Sequence, residues 1–190
     1  MHDLKILHRD IKSANFFLFK CGQAKIGDLN VSKVQKQQML QTQTGTPYYA
    51  APEVWKELPY DHKSDMWSFG CVIYEMCCLQ PPFKADDMAG LYKKVLRAQY
   101  PNLPTHFSMD MRTVVKTLLR PKPEERPDCG ELLNDVVVQK RIRKYFSEGD
   151  AFELLKCESD DILLKTIYLK KPWFTQPLPV SNYEYEIRYY

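Results

Sequence analysis

The sequence predicts a mainly α-helical domain with one short β-hairpin, and three observations carry that expectation. Apolar residues recur at helical spacing through 88–98, with Leu91, Tyr92, Val95 and Leu96, and again through 109–119, with Met111, Val114, Val115 and Leu118. The run from Met66 to Leu79 is apolar on nearly all faces, as a helix in the middle of a core would be. Only Phe16 to Phe19 and Lys25-Ile26, on either side of a Cys21-Gly22-Gln23 turn, have the character of two short strands.

In chain order, residues 1–7 read as the end of a helix that feeds the polar stretch His8-Arg9-Asp10-Ile11-Lys12-Ser13-Ala14-Asn15. That spacing suits a tight loop, which can turn Asp10, Lys12 and Asn15 into one pocket; a regular helix or strand would scatter them. Phosphoryl transfer needs a carboxylate to orient the attacking hydroxyl, a cation to neutralise the moving phosphate and an oxygen ligand for magnesium. Asp10, Lys12 and Asn15 supply those chemistries in order. The plainer alternative is a polar turn that happens to hold an Asp and an Asn. After the hairpin, Asp28 offers a second hard oxygen ligand for magnesium, where a carboxylate can project back toward Asp10.

Residues 31–46 are polar, rich in Gln and Thr and aperiodic, so a mobile loop is expected. The central helix that follows has Ser64 or Asp65 as its expected cap and Pro81-Pro82 as its stop, with Trp67, Phe69 and Met76 expected in the core. Pro101 and Pro104 separate the two amphipathic helices, and residues 121–127 form a turn before a last helix from about Asp128 to Val138. Beyond Lys140 the pattern weakens, so residues 141–190 read as a tail, in which Tyr168, Trp173 and Phe174 pack back on the domain or meet a partner.

Composition narrows the function classes. A chain of 190 residues, 44% hydrophobic, can bury one ordinary core. The net charge of +3 comes without a long block of like charges, so nothing argues for nucleic acid or an anionic membrane as partner; the basic run Lys140 to Lys144 reads as a solvated helix face. Six cysteines, two of them adjacent at Cys77-Cys78 and none in a Cys-x-x-Cys pair, suggest reduced and mostly buried thiols. The polar amino terminus and the absence of a membrane-length apolar run lead to the expectation of a soluble, intracellular, cytoplasmic protein. Neither Gly-x-x-x-x-Gly-Lys nor Gly-x-Gly-x-x-Gly occurs, which speaks against a nucleotide-binding protein of another fold.

Five ordered motifs resemble those of the eukaryotic protein kinases. His8 to Asn15 matches the catalytic loop, Asp28-Leu29-Asn30 stands where the family has Asp-Phe-Gly, and Ala51-Pro52-Glu53 closes the activation segment. Asp65 to Gly70 is similar to the start of the buried central helix, and Glu125-Arg126-Pro127 holds the Arg that pairs with Glu53. The resemblance covers residues 1–140, and Leu29 is similar to the middle residue of this motif in NIMA-related kinases. Leu163 to Ile167, Leu178-Pro179 and Asn182-Tyr183 resemble a tail that follows the kinase domain in some protist members.

The resemblance implies the carboxy-terminal lobe of a kinase, with the hairpin at the catalytic cleft and no counterpart of the amino-terminal lobe. It implies ATP and Mg2+ as cofactors and protein substrates with Ser or Thr acceptors. Asp10 would orient the acceptor hydroxyl, Lys12 steady the transferred phosphoryl, and Asn15 with Asp28 hold magnesium. Phe17 would form the floor beneath the adenine ring, ordinary core packing being its alternative. Thr46, in Gly45-Thr46-Pro47-Tyr48-Tyr49, would bond Asp10 and Lys12 and favour Ser/Thr over Tyr as acceptor. Thr42 and then Thr44 are the expected phosphosites, with Arg9 receiving the phosphate. Asp65 would hold the catalytic loop from beneath, and Asn30, standing where the family has Gly, tolerates the left-handed backbone of that turn.

Two functions follow. One is an ATP-dependent NIMA-related Ser/Thr kinase, active in a full-length form and cytoskeleton-associated by family analogy. The other is a catalytically silent kinase-like lobe that binds proteins, because the Gly-rich loop, the strand Lys, its partner Glu and the adenine hinge are missing from this sequence. On either reading the chain alone is expected to be inactive or nearly so. The surface of Phe16 to Leu18 would be left exposed, to meet the missing lobe or a substitute surface.

Overall fold

The computed structural model describes residues 1–19, 24–28, 33–34, 47–59 and 61–145. Leu29, Asn30, Thr42, Thr44, Thr46, Tyr168, Trp173 and Phe174 lie outside the described residues, as does most of the expected tail.

Among the described residues, two small antiparallel sheets precede the helices. Strands β1 (Ile6–Leu7) and β4 (Lys33–Val34) pair, with Ile6 opposite Val34. Strands β2 (Phe16–Leu18) and β3 (Ala24–Ile26) form the expected hairpin, with Phe17 opposite Lys25. The helix end expected at residues 1–7 is instead a 3-10 turn, His2–Leu4, followed by β1. Lys5, with φ of 57°, stops that turn in the left-handed region, and the chain then pairs with β4.

The α-helices among the described residues are α1 (Pro52–Trp55), α2 (His62–Cys78), α3 (Met88–Leu96), α4 (Met109–Leu118), α5 (Cys129–Asn134) and α6 (Val136–Tyr145). The cap of α2 is Asp61, not Ser64 or Asp65. The Asp61 side chain accepts from the Lys63 and Ser64 amides, and Ser64 Oγ accepts from the Asp61 amide in return. Ser64 and Asp65 thus lie inside the helix, where both are buried. Asp87 and Ser108 cap α3 and α4. The single last helix expected from Asp128 is two helices. Asp128 caps α5 in a capping box with Glu131, but Asp135 turns extended, and its carboxylate accepts from the Val137 amide. Asp competes with helical hydrogen bonding in this way, so Asp135 ends one helix and starts the next.

The core gathers on α2. Trp67 stacks on Phe83 with ring centroids 5.4 Å apart, Tyr100 meets Phe83 edge-on, and Ala51, Cys71, Tyr74, Leu91, Val95, Leu103, Val115 and Leu119 belong to the same buried cluster. Gly70 sets how closely α2 approaches α4, since a Cβ there would lie 2.8 Å from the Leu118 Cβ. Phe69 is half-buried and stacks on Phe16, which anchors the hairpin to α2. Met76 is not a core residue: it is 68% exposed, on the outward side of α2 near its end. The thiols differ in the same way, with Cys71 buried, Cys77 and Cys78 half-buried and Cys129 exposed. No helix among the described residues is long and apolar enough to cross a membrane.

Candidate active site

The loop that carries Asp10 is anchored at both ends before its polar groups act. Leu7 and Ile11 are buried on either side of it. Between them the buried His8 accepts the Asp10 amide on Nδ1 at 3.3 Å. Its Nε2 therefore carries the proton, an assignment made from the network, and donates to the Gly27 carbonyl at 3.1 Å.

Arg9 has φ of 72°, a left-handed backbone that costs a side-chain-bearing residue about 1–2 kcal/mol. Asp65, fully buried on the first turns of α2, holds it there. The Arg9 amide donates to Asp65 Oδ1 at 3.0 Å, and the His8 amide donates to Oδ2 at 2.9 Å. His2 Nε2 reaches the same Oδ2 at 2.8 Å. A buried carboxylate holding three donors explains how a strained loop stays in one conformation.

On the open side of the loop the three predicted residues come together. Lys12 Nζ donates to Asp10 Oδ2 at 2.7 Å. Asn15 Nδ2 donates to the Asp10 carbonyl at 2.7 Å and to Oδ2 at 3.1 Å. Since the amide nitrogen of the buried Asn15 is used this way, its oxygen is the end left to take a cation.

Asp28 is placed by its neighbour. The Gly27 amide donates to the Asn15 carbonyl at 2.9 Å while the Gly27 carbonyl accepts from His8, so the chain is gripped on both sides just before Asp28. Asp28 has φ of 61° and is exposed. A Cβ on Gly27 would lie 2.6 Å from the Phe17 ring, so the ring rests on the backbone that leads to Asp28. Phe17 is 37% exposed on one face of the hairpin, and Leu18 and Ile26, 60% and 42% exposed, lie on the other.

The donor set fits magnesium. Asn15 and Asp28 offer hard oxygens, and no cluster of three or more His, Cys, Asp and Glu among the described residues could hold a metal by itself. Magnesium is bound in just this partial way, by one or two protein oxygens together with phosphate and water.

Behind the site, Arg126 donates to Glu53 Oε1 at 2.7 Å and to Oε2 at 2.8 Å, and Ser64 Oγ donates to Oε1 at 2.7 Å. Burial pushes the Glu53 carboxyl up, but the Arg126 bonds and charge, with Ser64, outweigh it and hold it below its ordinary 4.5. The structure thus joins Asp10, Lys12 and Asn15 directly, ties the chain to Asn15 and His8 at Gly27, one residue before Asp28, and puts Asp65, Glu53 and Arg126 in supporting positions. His8 and His2 were missed by the sequence reading. His8 had a local signal, its place beside Asp10, but its partner Gly27 is far along the chain; His2 had none.

The protein kinase domain model of known families matches residues 1–138. The chain is 38% identical over 181 residues to the mouse serine/threonine-protein kinase Nek1, a match covering 94% of this chain and 14% of that protein. It is 42% identical over 147 residues to mouse Nek5, covering 76% of this chain and 23% of that one. Mouse Nek3 is 41% identical over 135 residues, covering 70% and 26%. The chain therefore spans about a quarter or less of the length of these curated relatives.

Proposed function

Because the chain belongs to the protein kinase family, among its NIMA-related serine/threonine members, we propose that the whole protein transfers the ATP γ-phosphate to Ser and Thr hydroxyls of protein substrates. Residues 1–140 are then the helical catalytic lobe and residues 141–190 a tail. The observation that carries the reading is the convergence of Lys12 Nζ and Asn15 Nδ2 on Asp10 Oδ2, at 2.7 and 3.1 Å.

Each side chain has a task in this reading. Asp10 accepts the hydrogen bond of the incoming hydroxyl and fixes its line of attack. Lys12, already beside Asp10, swings its ammonium onto the moving phosphoryl oxygens. The Asn15 amide holds Asp10 in place with its nitrogen and presents its oxygen to the cation, as Asp28 presents its carboxylate. Magnesium, when bound, neutralises charge on the phosphate oxygens. Thr46 bonds Asp10 and Lys12, a phosphate on Thr42 or Thr44 pairs with Arg9, and Phe17 lies beneath the adenine. The exposed apolar side chains of the hairpin, Phe17 on one face and Leu18 and Ile26 on the other, are then surface for a second lobe that covers the nucleotide. We place the protein in the cytoplasm, with cytoskeletal association by analogy with its family. The same exposed side chains favour the second reading, a silent lobe that binds another protein.

The test is phosphate transfer from labelled ATP to Ser/Thr peptides by the full-length protein. Asp10→Asn is expected to lower kcat by about 10²–10⁴-fold, the usual effect of losing a positioned base. Unchanged turnover in that variant would overturn the assignment. A wild-type protein that transfers nothing yet still binds a partner through the hairpin would establish the second reading.

A further inference from the structure

We propose that Ser13, Tyr49 and Glu75 form a hydrogen-bonded relay that sets the catalytic loop against α2, with Tyr49 as a positioning residue for transfer. The inference rests on the kinase reading above and adds to it a part that none of the assigned residues supplies.

The Tyr49 hydroxyl donates to Glu75 Oε2 at 2.6 Å and lies 3.2 Å from Ser13 Oγ. Its direction follows from counting protons. A phenol has one proton, and a carboxylate can only accept, so the Tyr49 proton is committed to Glu75. Ser13 must then donate to Tyr49 Oη, and the relay runs Ser13 to Tyr49 to Glu75. Burial first, and then the bond to Glu75, push the Tyr49 phenol up to about 12, so it stays a donor throughout the physiological range. The short, charge-assisted bond to Glu75 polarises the phenol and strengthens its hold on Ser13.

Tyr49 has little room to drift. Its carbonyl accepts from Ser68 Oγ at 2.8 Å, so backbone and side-chain tip are both tied to α2. Ser68 and Glu75 are seven residues apart, two turns along one face of that helix. Ser13, at the other end, opens the 3-10 turn Ser13–Asn15 that delivers Asn15 to Asp10. Asp65 holds the loop at His8 and Arg9, and the relay holds it again on the far side of Asp10. A loop fixed on both sides keeps Asp10 and Asn15 in register, on which positioning catalysis depends.

The test uses the full-length kinase with Tyr49→Phe, which keeps the ring and removes the hydroxyl. We expect kcat to fall about tenfold, the worth of one good hydrogen bond, with KM for ATP and peptide unchanged and the melting temperature lowered by only about 3–5 °C. Amide exchange within residues 10–15 should quicken. Adding Ser13→Ala should cause no further loss, because the relay is already broken. Glu75→Gln keeps an acceptor and should retain most turnover, whereas Glu75→Ala should behave as Tyr49→Phe. Wild-type kcat and exchange in Tyr49→Phe, a change in peptide KM alone, or losses from Ser13→Ala and Tyr49→Phe that multiply would each overturn the relay. Should Tyr49→Phe not fold, Ser13→Ala and the two Glu75 variants carry the same test. A wild-type protein without turnover would refute the kinase reading instead, and loop exchange in the variants would still decide the relay.

Discussion

Replacing Arg126 by Met separates the Glu53–Arg126 pair while keeping most of its volume. The guanidinium is buried and makes five bonds: two to Glu53, and one each to the carbonyls of Arg120 at 2.7 Å, Lys63 at 3.0 Å and Pro121 at 3.0 Å. Its Cζ also lies 4.9 Å from the centre of the Trp67 ring. After the change Glu53 is left buried with Ser64 and its own backbone amide as donors and no countercharge bonded to it. Breaking one side of a buried pair costs about 3–5 kcal/mol, and three carbonyls that lose a charged donor bring the expected loss to roughly 5 kcal/mol. That is the whole stability of a marginal domain. At roughly 3 °C per kcal/mol for a domain of this size, the melting midpoint should fall by about 15 °C. Thermal and urea unfolding read this directly. Adding Glu53→Gln should recover part of the loss, since a neutral amide is cheaper to bury than an unpaired carboxylate. A loss under about 1 kcal/mol would refute the reasoning, because it would place the pair within the range of an exposed contact.

Two further predictions concern the supports of the catalytic loop. Asp65→Asn leaves one oxygen for the His8 and Arg9 amides that now use two, so Arg9 should leave its left-handed conformation. Amide exchange at His8 and Arg9 should rise and kcat fall by about tenfold or more, whereas wild-type protection would sink the argument. Because the Glu53 carboxyl is held below 4.5 when folded, its contribution to stability is complete above that pH and is lost as pH falls through the folded value. Urea midpoints from neutral to acid should therefore drop more steeply in wild type than in Glu53→Gln below about pH 4.5, and parallel curves would count against it.

The parts of the site that could be read from the sequence are those whose chemistry is local. Asp10, Lys12 and Asn15 lie within six positions, so their residue types already describe a pocket. The amphipathic helices were legible for the same reason, since periodicity is a property of a short window. What was missed depends on distant partners. Strand β1 is two residues long and exists because residues 33–34 pair with it. Ser64 and Asp65 read as caps because they open an apolar run, but the cap is Asp61, three residues before Ser64. The choice is made by Asp65 reaching the His8 and Arg9 amides, more than fifty residues away in sequence. Met76 sits in a run that looks apolar all round, but the core covers that helix less toward its end. The relay of Ser13, Tyr49 and Glu75 joins three segments that share no pattern.

The helix α2 explains why so much of the site depends on a segment with no residue in it. A polar side chain within a buried helix is unfavourable unless it is bonded, so each one marks a contact the fold requires. Ser64 bonds Glu53, Asp65 bonds the loop at His8 and Arg9, Ser68 bonds the Tyr49 carbonyl, and Glu75 bonds the Tyr49 hydroxyl. Asp65, Ser68 and Glu75 fall within about 80° of arc on the helix, so they form one stripe along it. Trp67 and Gly70 fix the rest of the circumference, one stacked on Phe83 and the other pressed against Leu118. The apolar faces therefore set the rotation of α2 about its axis, and the polar stripe converts that rotation into the position of Asp10. A large residue at Gly70 should then disturb catalysis through the stripe without touching the catalytic loop.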